Sequence, residues 1–316
     1  MDKEKIGSLG GQAVIEGVMM RTKDAYALAV RGTDGNITIE RNEVKKRSAS
    51  LMKTPIIRGV VAFADSMVLG VKIITRSAEL AGLEDETEDP GKFEKFLIDK
   101  LGEKLNDVLI FISVAIAILL SVGLFMMLPV FVGSLIARFS NLGEYSWAFG
   151  IIEGIVRFAI FLCYIYLISL NKDIKRVYEY HGAEHKTINC LESGEELTVE
   201  NVMRHSRYHK RCGTSFLLFV MVIAMLFFLF VRTDDFVLRV LSRILFIPII
   251  AGASFEVLRW AGKSRSKFVE IVSYPGIKLQ GMTTKEPDEA QVECAIMATK
   301  AAIAEETESI ESAEGE

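Results

Sequence analysis

The stretch HGAEH, residues 181–185, sets two imidazoles four positions apart with a carboxylate beside the second. On a helix, residues four apart share a face, so the rings of His181 and His185 can reach one cation. The order H-x-x-E-H is the spacing of the inverted zinc-hydrolase motif. In that chemistry the cation acidifies a water, and Glu184 is placed to take its proton as general base. A catalytic zinc takes three protein ligands. His209 is the favoured third, and Cys212, Cys190, Glu192 and His205 are the alternatives. A mixed structural site of His181, His185, Cys190 and Cys212 is a further arrangement. Gly182 inside the motif weakens the helix, and the competing reading is a set of hydrogen-bonded histidines without metal.

All four histidines of this 316-residue chain fall between residues 171 and 213. The stretch ELTVENVMRHSRYHKR reads as a helix capped at Thr198, which would present His205 and His209 on one face. The basic run RHSRYHKR, 204–211, reads first as a charge cluster that orients a membrane segment. Its second reading is a grip on anionic lipid headgroups or a phosphorylated substrate. Lys186 and Arg211, next to the candidate ligands, are candidates for substrate contact. Nucleic acid is not expected as a partner, since no basic surface interleaved with aromatics appears.

The elements that must position these groups are apolar. Half of the residues are hydrophobic and the mean hydropathy is +0.30, beyond an ordinary soluble protein. Runs at 107–128, 149–170, 214–231 and 237–260 each match a hydrocarbon core of about 30 Å, the first being expected to close at Pro129. The segment 171–213 carries Lys172, Lys175, Arg176, Lys186, Arg204, Arg207, Lys210 and Arg211, whereas 129–147 and 232–236 carry only Arg138 and Arg232. The positive-inside rule then places 1–106, 171–213 and 261–316, with both termini, in the cytoplasm. The expected fold is an α-helical membrane protein of four transmembrane helices. A small α+β cytoplasmic domain is assembled from the N-terminal, middle-loop and C-terminal segments. No apolar run near the start serves as a secretory signal. Cys163 falls in a span and Cys190, Cys212 and Cys294 face the reducing side, so no disulfide is expected.

Within that frame, AYALAV and NITIERN flank the turn RGTDG as a hairpin, and GGQAVIEGVMMR reads as a third strand or a close-packed loop. Residues 55–81 read as a helix with Arg58, Asp65 and Lys72 in one polar stripe. Packing under the hairpin is favoured over lying along the membrane surface. EDETEDP, 84–90, reads as an exposed linker, KFEKFLIDKLGEKLND as an amphipathic lead-in, and FVEIVSYPGIKLQGM as a short extended piece. A helix follows from Pro287, and 305–316 reads as a disordered acidic tail.

The spans also carry charge. Glu153 and Arg157 lie four apart near the outer end of the second, and Arg239 and Arg243 near the outer end of the fourth. A mid-membrane charge costs roughly 2.5–3.5 kcal/mol, so an ion-pair cluster is expected, with a polar pocket or transport path as the other reading. Glu256, near the cytoplasmic end of the fourth span, could close the floor of the site.

GGQAVIEGVMMR (10–21), YHGAEHKTINCLE (180–192), ELTVENV (196–202), RCGTSFLL (211–218) and PGIKLQGMTTKEPDEAQVECAI (275–296) together resemble the bacterial YqhQ family. Its members are membrane proteins described as predicted metal-dependent enzymes of unknown function. The family shows a His-Pro-Arg-Cys run before the third span, which here reads His209, Lys210, Arg211, Cys212. The resemblance supports His209 over His205 and draws attention to Gln12 and Glu16. It implies a multi-pass protein of the bacterial inner membrane. The expected activity is a divalent-metal, zinc-like hydrolase or transferase acting on a membrane-associated substrate. The rivals are a non-enzymatic scaffold or regulator, and a small transporter or lipid-moving protein. The bilayer and anionic lipids are the expected partners, with a membrane protein or a second copy beside them.

Overall fold

The computed structural model describes residues 9–44, 54–82, 105–140, 147–210, 212–230, 235–263 and 266–304. The acidic linker 84–90, most of the lead-in and the acidic tail lie outside the described residues. The described helices are α1 (Pro55–Leu80), α2 (Leu105–Val122), α3 (Leu128–Phe139), α4 (Trp147–Ile168), α5 (Lys172–Ser193), α6 (Val199–Arg204), α7 (Gly213–Phe228), α8 (Phe236–Lys263), α9 (Lys267–Thr283) and α10 (Glu289–Ile303). The chain divides into two compact units, one of Met1–Leu83, Ile165–Val220 and Pro248–Glu316, the other of Glu84–Tyr164 and Met221–Ile247.

The first unit is built on an antiparallel meander, β1 (Gly10–Val14), β2 (Gly17–Arg21), β3 (Ala25–Arg31) and β4 (Ile37–Glu43), in that order. The expected β3–β4 hairpin is present, while GGQAVIEGVMMR is two strands rather than one. The reason is Glu16, which adopts φ 50° and turns the chain. That left-handed backbone is unfavourable for a residue with a Cβ, and the surroundings hold it. The Glu16 carboxylate accepts hydrogen bonds from Arg176 Nε and Nη2 and from the Tyr180 hydroxyl, and its carbonyl accepts the Arg31 N–H at 2.8 Å.

Alternation along the strands gives the sheet two apolar faces. Val18, Met20, Ala27 and Ala29 pack with Tyr180, Ile188 and Leu191 of α5 and Val292 and Ala295 of α10. Val14, Met19, Leu28 and Val30 pack with Ile73 of α1. The unit is therefore three layers, with α1 under the sheet and α5, α6 and α10 over it.

Local signals set the helix ends. Asn171 caps α5 by accepting the Asp173 and Ile174 N–H groups, and Gly194 closes it at φ 78°. Asp288 and Gln291 form a reciprocal capping box on α10, so that helix starts just after Pro287, as expected. Helix α5 runs unbroken through Gly182, because the glycine serves packing. A Cβ there would stand 2.0 Å from the Lys285 carbonyl oxygen. The stretch FVEIVSYPGIKLQGM is helical, not extended. Val269, Leu279 and Gln280 are buried at helical spacing, and that packing outweighs the one hydrogen bond lost at Pro275.

In the second unit, α2 passes through a π-helical turn at Gly123–Met127 and continues as α3, so Pro129 does not end the helix. A proline offers no N–H to the carbonyl four residues back, which here is Phe125. That carbonyl accepts Arg157 Nε at 3.1 Å. Arg157 also holds one carboxylate oxygen of Glu153 at 2.6 Å, and Arg243 holds the other. Both guanidiniums lie over the Phe228 ring, at 5.8 and 5.5 Å. The expected ion-pair cluster is present in Glu153, Arg157 and Arg243; the side chain of Arg239 is outside the described ones.

Among the described residues, three helices are long and apolar enough to cross a membrane: Phe111–Phe139, Trp147–Ile168 and Val240–Ala261. The fourth expected span falls on α7, whose apolar stretch Leu217–Phe228 is shorter. At about 1.5 Å per residue it falls well below a 30 Å core.

Replacing Gly182 by Ala forces the Lys285 backbone off α5. We expect about 1–3 kcal/mol of lost stability in thermal unfolding of the detergent-purified protein. Gly10→Ala, where nothing lies within 4 Å of the new Cβ, should change it by less than about 0.5 kcal/mol.

Candidate metal centre

One stripe of α5 carries His181, His185 and Asn189. The two imidazole centroids are 4.5 Å apart. His181 Nδ1 lies 2.8 Å from the Thr283 carbonyl and His185 Nδ1 2.6 Å from the Arg207 carbonyl. A carbonyl only accepts, so each Nδ1 carries the hydrogen and each Nε2 of the neutral ring presents a lone pair. His181 Nε2 lies 3.3 Å from Cys212 Sγ, which also accepts the Thr214 N–H at the start of α7. His185 Nε2 is buried with no hydrogen-bond partner among the described residues. One donor atom from each of His181, His185 and Cys212 lies within 4.8 Å of the other two.

These residues fit a divalent, zinc-like cation. Imidazole nitrogen and thiolate are its common donors. Backbone carbonyls on the far ring nitrogens are the partners that orient such ligands. A buried ring nitrogen with no partner is costly unless something occupies its lone pair.

His209, the favoured third ligand from sequence, stands one step out. Its ring centroid is 5.7 Å from that of His185 and its Nε2 is 3.5 Å from the Glu192 carboxylate. Its backbone is clasped by Gln280, which accepts the His209 N–H at 2.9 Å and donates to its carbonyl at 2.8 Å. His205 and His209 do not share a helical face. Helix α6, capped at Thr198 as expected, ends at Arg204, and His205 is extended. Asn189, His185 and Gln280 take the backbone groups of 206–209 that a longer helix would need for itself. His205 instead pairs with Glu195 at 3.3 Å, and with Cys190 they form a second group of donors within 4.8 Å.

Glu184 reaches the sheet at Gly11. Its carboxylate accepts the Gly11 N–H, and a Cβ at Gly11 would lie 2.8 Å from it. Burial pushes this carboxyl above the ordinary range, against the pull of His181 and of the Gly11 N–H. Burial, followed by His181, pushes His185 well below the ordinary imidazole value, and burial brings His209 down to about 4. Both rings are therefore neutral near pH 7. Burial, followed by Glu195, raises the Cys190 thiol.

The other expected residues are dispersed. Lys186 is buried and donates to the Met203 carbonyl at 2.9 Å, with Glu286 at 3.0 Å. Gln12 lies on the opposite sheet face, its amide against Gly70 of α1. Glu16 fastens the β1–β2 turn to Arg176, and Glu256 pairs with Arg58 of α1 instead of flooring the cluster. Arg211 lies outside the described residues. Sequence reasoning missed Asn189, Arg207, Gln280 and Thr283, which grip the cluster. Only Asn189 carried a signal, four residues beyond His185.

His185 and His209 are held neutral, whereas unfolded imidazoles protonate near 6.5. The unfolded state then binds more protons below that pH, so stability is undiminished above about 6.5 and declines toward about 4. Chemical denaturation across this window should show the decline, and His209→Gln should flatten it.

A protein-family model described as "Protein of unknown function (DUF1385)" matches residues 54–305. The "Uncharacterized protein YqhQ" of Bacillus subtilis (strain 168) is 39% identical over 305 residues, covering 94% of this chain and 92% of that protein. No solved structure matches. The resemblance carried by the histidine, glutamine-glycine and C-terminal motifs thus extends over almost the whole chain, which belongs to the DUF1385 family of proteins of unknown function.

Proposed function

We propose that this is a multi-pass protein of the bacterial inner membrane with a cytoplasmic unit that holds a divalent cation. In this reading it hydrolyses or transfers a group on a membrane-associated substrate. The observation that carries it is the pair of anchored imidazoles. Both Nδ1 atoms are committed to carbonyls, and the buried Nε2 of His185, beside Cys212 and His181, has no hydrogen-bond partner among the described residues. His181, His185 and Cys212 are the ligands, and three protein ligands leave room for substrate. A cation held there would supply Lewis acidity to a carbonyl or phosphoryl oxygen. Glu184 accepts a proton at its carboxylate, which burial makes a stronger base than usual. Lys186 and Arg207 keep the segment 284–286 in place through Glu286 and the Thr284 carbonyl. The basic segments on this face fit contact with anionic lipid headgroups.

One observation favours a second reading. His209 is neutral and its ring lies 5.7 Å from that of His185. If it closes the shell as a fourth ligand, the centre is structural and the protein is a scaffold or regulator.

Elemental analysis of the purified protein after zinc loading should find metal in the wild type, none with His181→Ala plus His185→Ala, and full metal with Glu184→Gln. Equal, negligible metal in all three ends the proposal. On a panel of lipid esters and phosphoesters, Glu184→Gln should lower turnover by roughly 10²–10⁴ fold with metal retained. If His209→Ala removes the metal as completely as Cys212→Ser, the structural reading stands.

A further inference from the structure

Helix α1 has three different sides. At about 100° per residue, its buried Gly59, Gly70, Ile73 and Ser77 fall on one side, the side that meets the sheet and α8. Arg58, Asp65, Lys72, Arg76 and Glu79 fall on another. Between them runs a third side of Ile56, Ile57, Met67, Val68, Val71 and Ile74, every one at least 43% exposed. A two-sided helix packed on a sheet needs only an apolar side and a polar side. A continuous exposed apolar stripe beside a separate polar one needs a further apolar partner.

The seat of α1 on α8 identifies that partner. A Cβ on Gly59 would lie 2.8 Å from Gly252 Cα, and one on Gly252 would lie 2.7 Å from the Ile56 carbonyl oxygen. Gly252 belongs to the apolar stretch Val240–Ala261, about 14 Å from its C-terminal end at 1.5 Å per residue. Glu256, one turn closer to that end, takes both guanidinium nitrogens of Arg58, which marks where the polar side of α1 meets water. On the proposed reading that α8 spans the bilayer, the first turns of α1 lie at the depth of a membrane helix, and the stripe continues from that contact along α1.

We propose that α1 is a lipid-embedded helix: its third side is covered by acyl chains of the bilayer leaflet that α8 enters, while its first side carries the sheet. Of the sequence-based alternatives, packing under the hairpin is met by the first side, and the third side enters the bilayer rather than lying along its surface. A second copy of the chain or a protein partner on the same stripe is the competing occupant.

Tryptophan quenching by brominated lipid separates them. In protein carrying Trp147→Phe and Trp260→Phe, reconstituted into phosphatidylcholine vesicles, Val68→Trp and Val71→Trp should be quenched by brominated acyl chains. The quenching should equal that of Leu119→Trp on the spanning helix, and Glu79→Trp should remain unquenched. No quenching at 68 and 71 overturns the proposal, and so does efficient disulfide cross-linking of Val68→Cys between copies. Circular dichroism and thermal unfolding of each variant establish that it is folded, and metal content plays no part in the readout.

Discussion

The approach of the 283–287 backbone to α5 is the constraint on which the rest of the histidine cluster depends. Gly182 leaves a gap on the helix surface that the Lys285 carbonyl fills, and the Lys285 N–H reaches the Tyr178 carbonyl at 2.8 Å. Only with that strand of chain against the helix does the Thr283 carbonyl reach His181 Nδ1. The same segment presents Thr284 to Arg207, whose own carbonyl orients His185. One missing Cβ thus lets three separate stretches of chain converge on two imidazoles.

Buried polar groups are tolerated when their hydrogen bonds are made inside the protein, and most of the first unit's follow that rule, with Arg31 Nε, Arg41 Nε, Thr283 Oγ1 and His185 Nε2 the exceptions among the described residues. Glu184 is met by Gly11, Lys186 by Met203 and Glu286, and Gln280 by both backbone groups of His209. Of the exceptions, only the bare Nε2 of His185 is a lone pair beside two other metal-ligand donors, on His181 and Cys212. The second unit solves a harder version of the problem. Glu153 is shared by two arginines, Pro129 leaves the Phe125 carbonyl for one of them, and Phe228 lies under both guanidiniums. Each device replaces water that an apolar surrounding does not supply.

Much of the architecture could be read from patterns that depend on neighbours in sequence. The β3–β4 hairpin, the caps at Thr198 and Asp288 and the length of α1 follow from turn residues and apolar spacing. The reading failed where a tertiary contact outweighed a local signal. Pro129 was expected to close a helix and the stretch around Pro275 to be extended; a π-helical turn in the first case and burial of Val269 and Leu279 in the second made both helical. Gly182 was taken as a weakness in α5 because glycine disfavours helix in isolation, whereas its role is to admit a carbonyl.

The division for the site is similar. The spacing of His181, Glu184 and His185 is enough to place both rings on one side of a helix and the carboxylate beside them, because helical geometry is local. The order of the remaining donors is not local. Cys212 lies against His181, His209 is set back against Glu192, and His205 joins Glu195 and Cys190. That sorting depends on where the chain returns after Arg204, and the return is decided by Asn189 and Gln280 gripping its backbone. Sequence determined which residues could serve; packing between segments distant in the chain decided which of them meet, because a backbone hydrogen bond made across the fold leaves no periodic trace in the residues that make it.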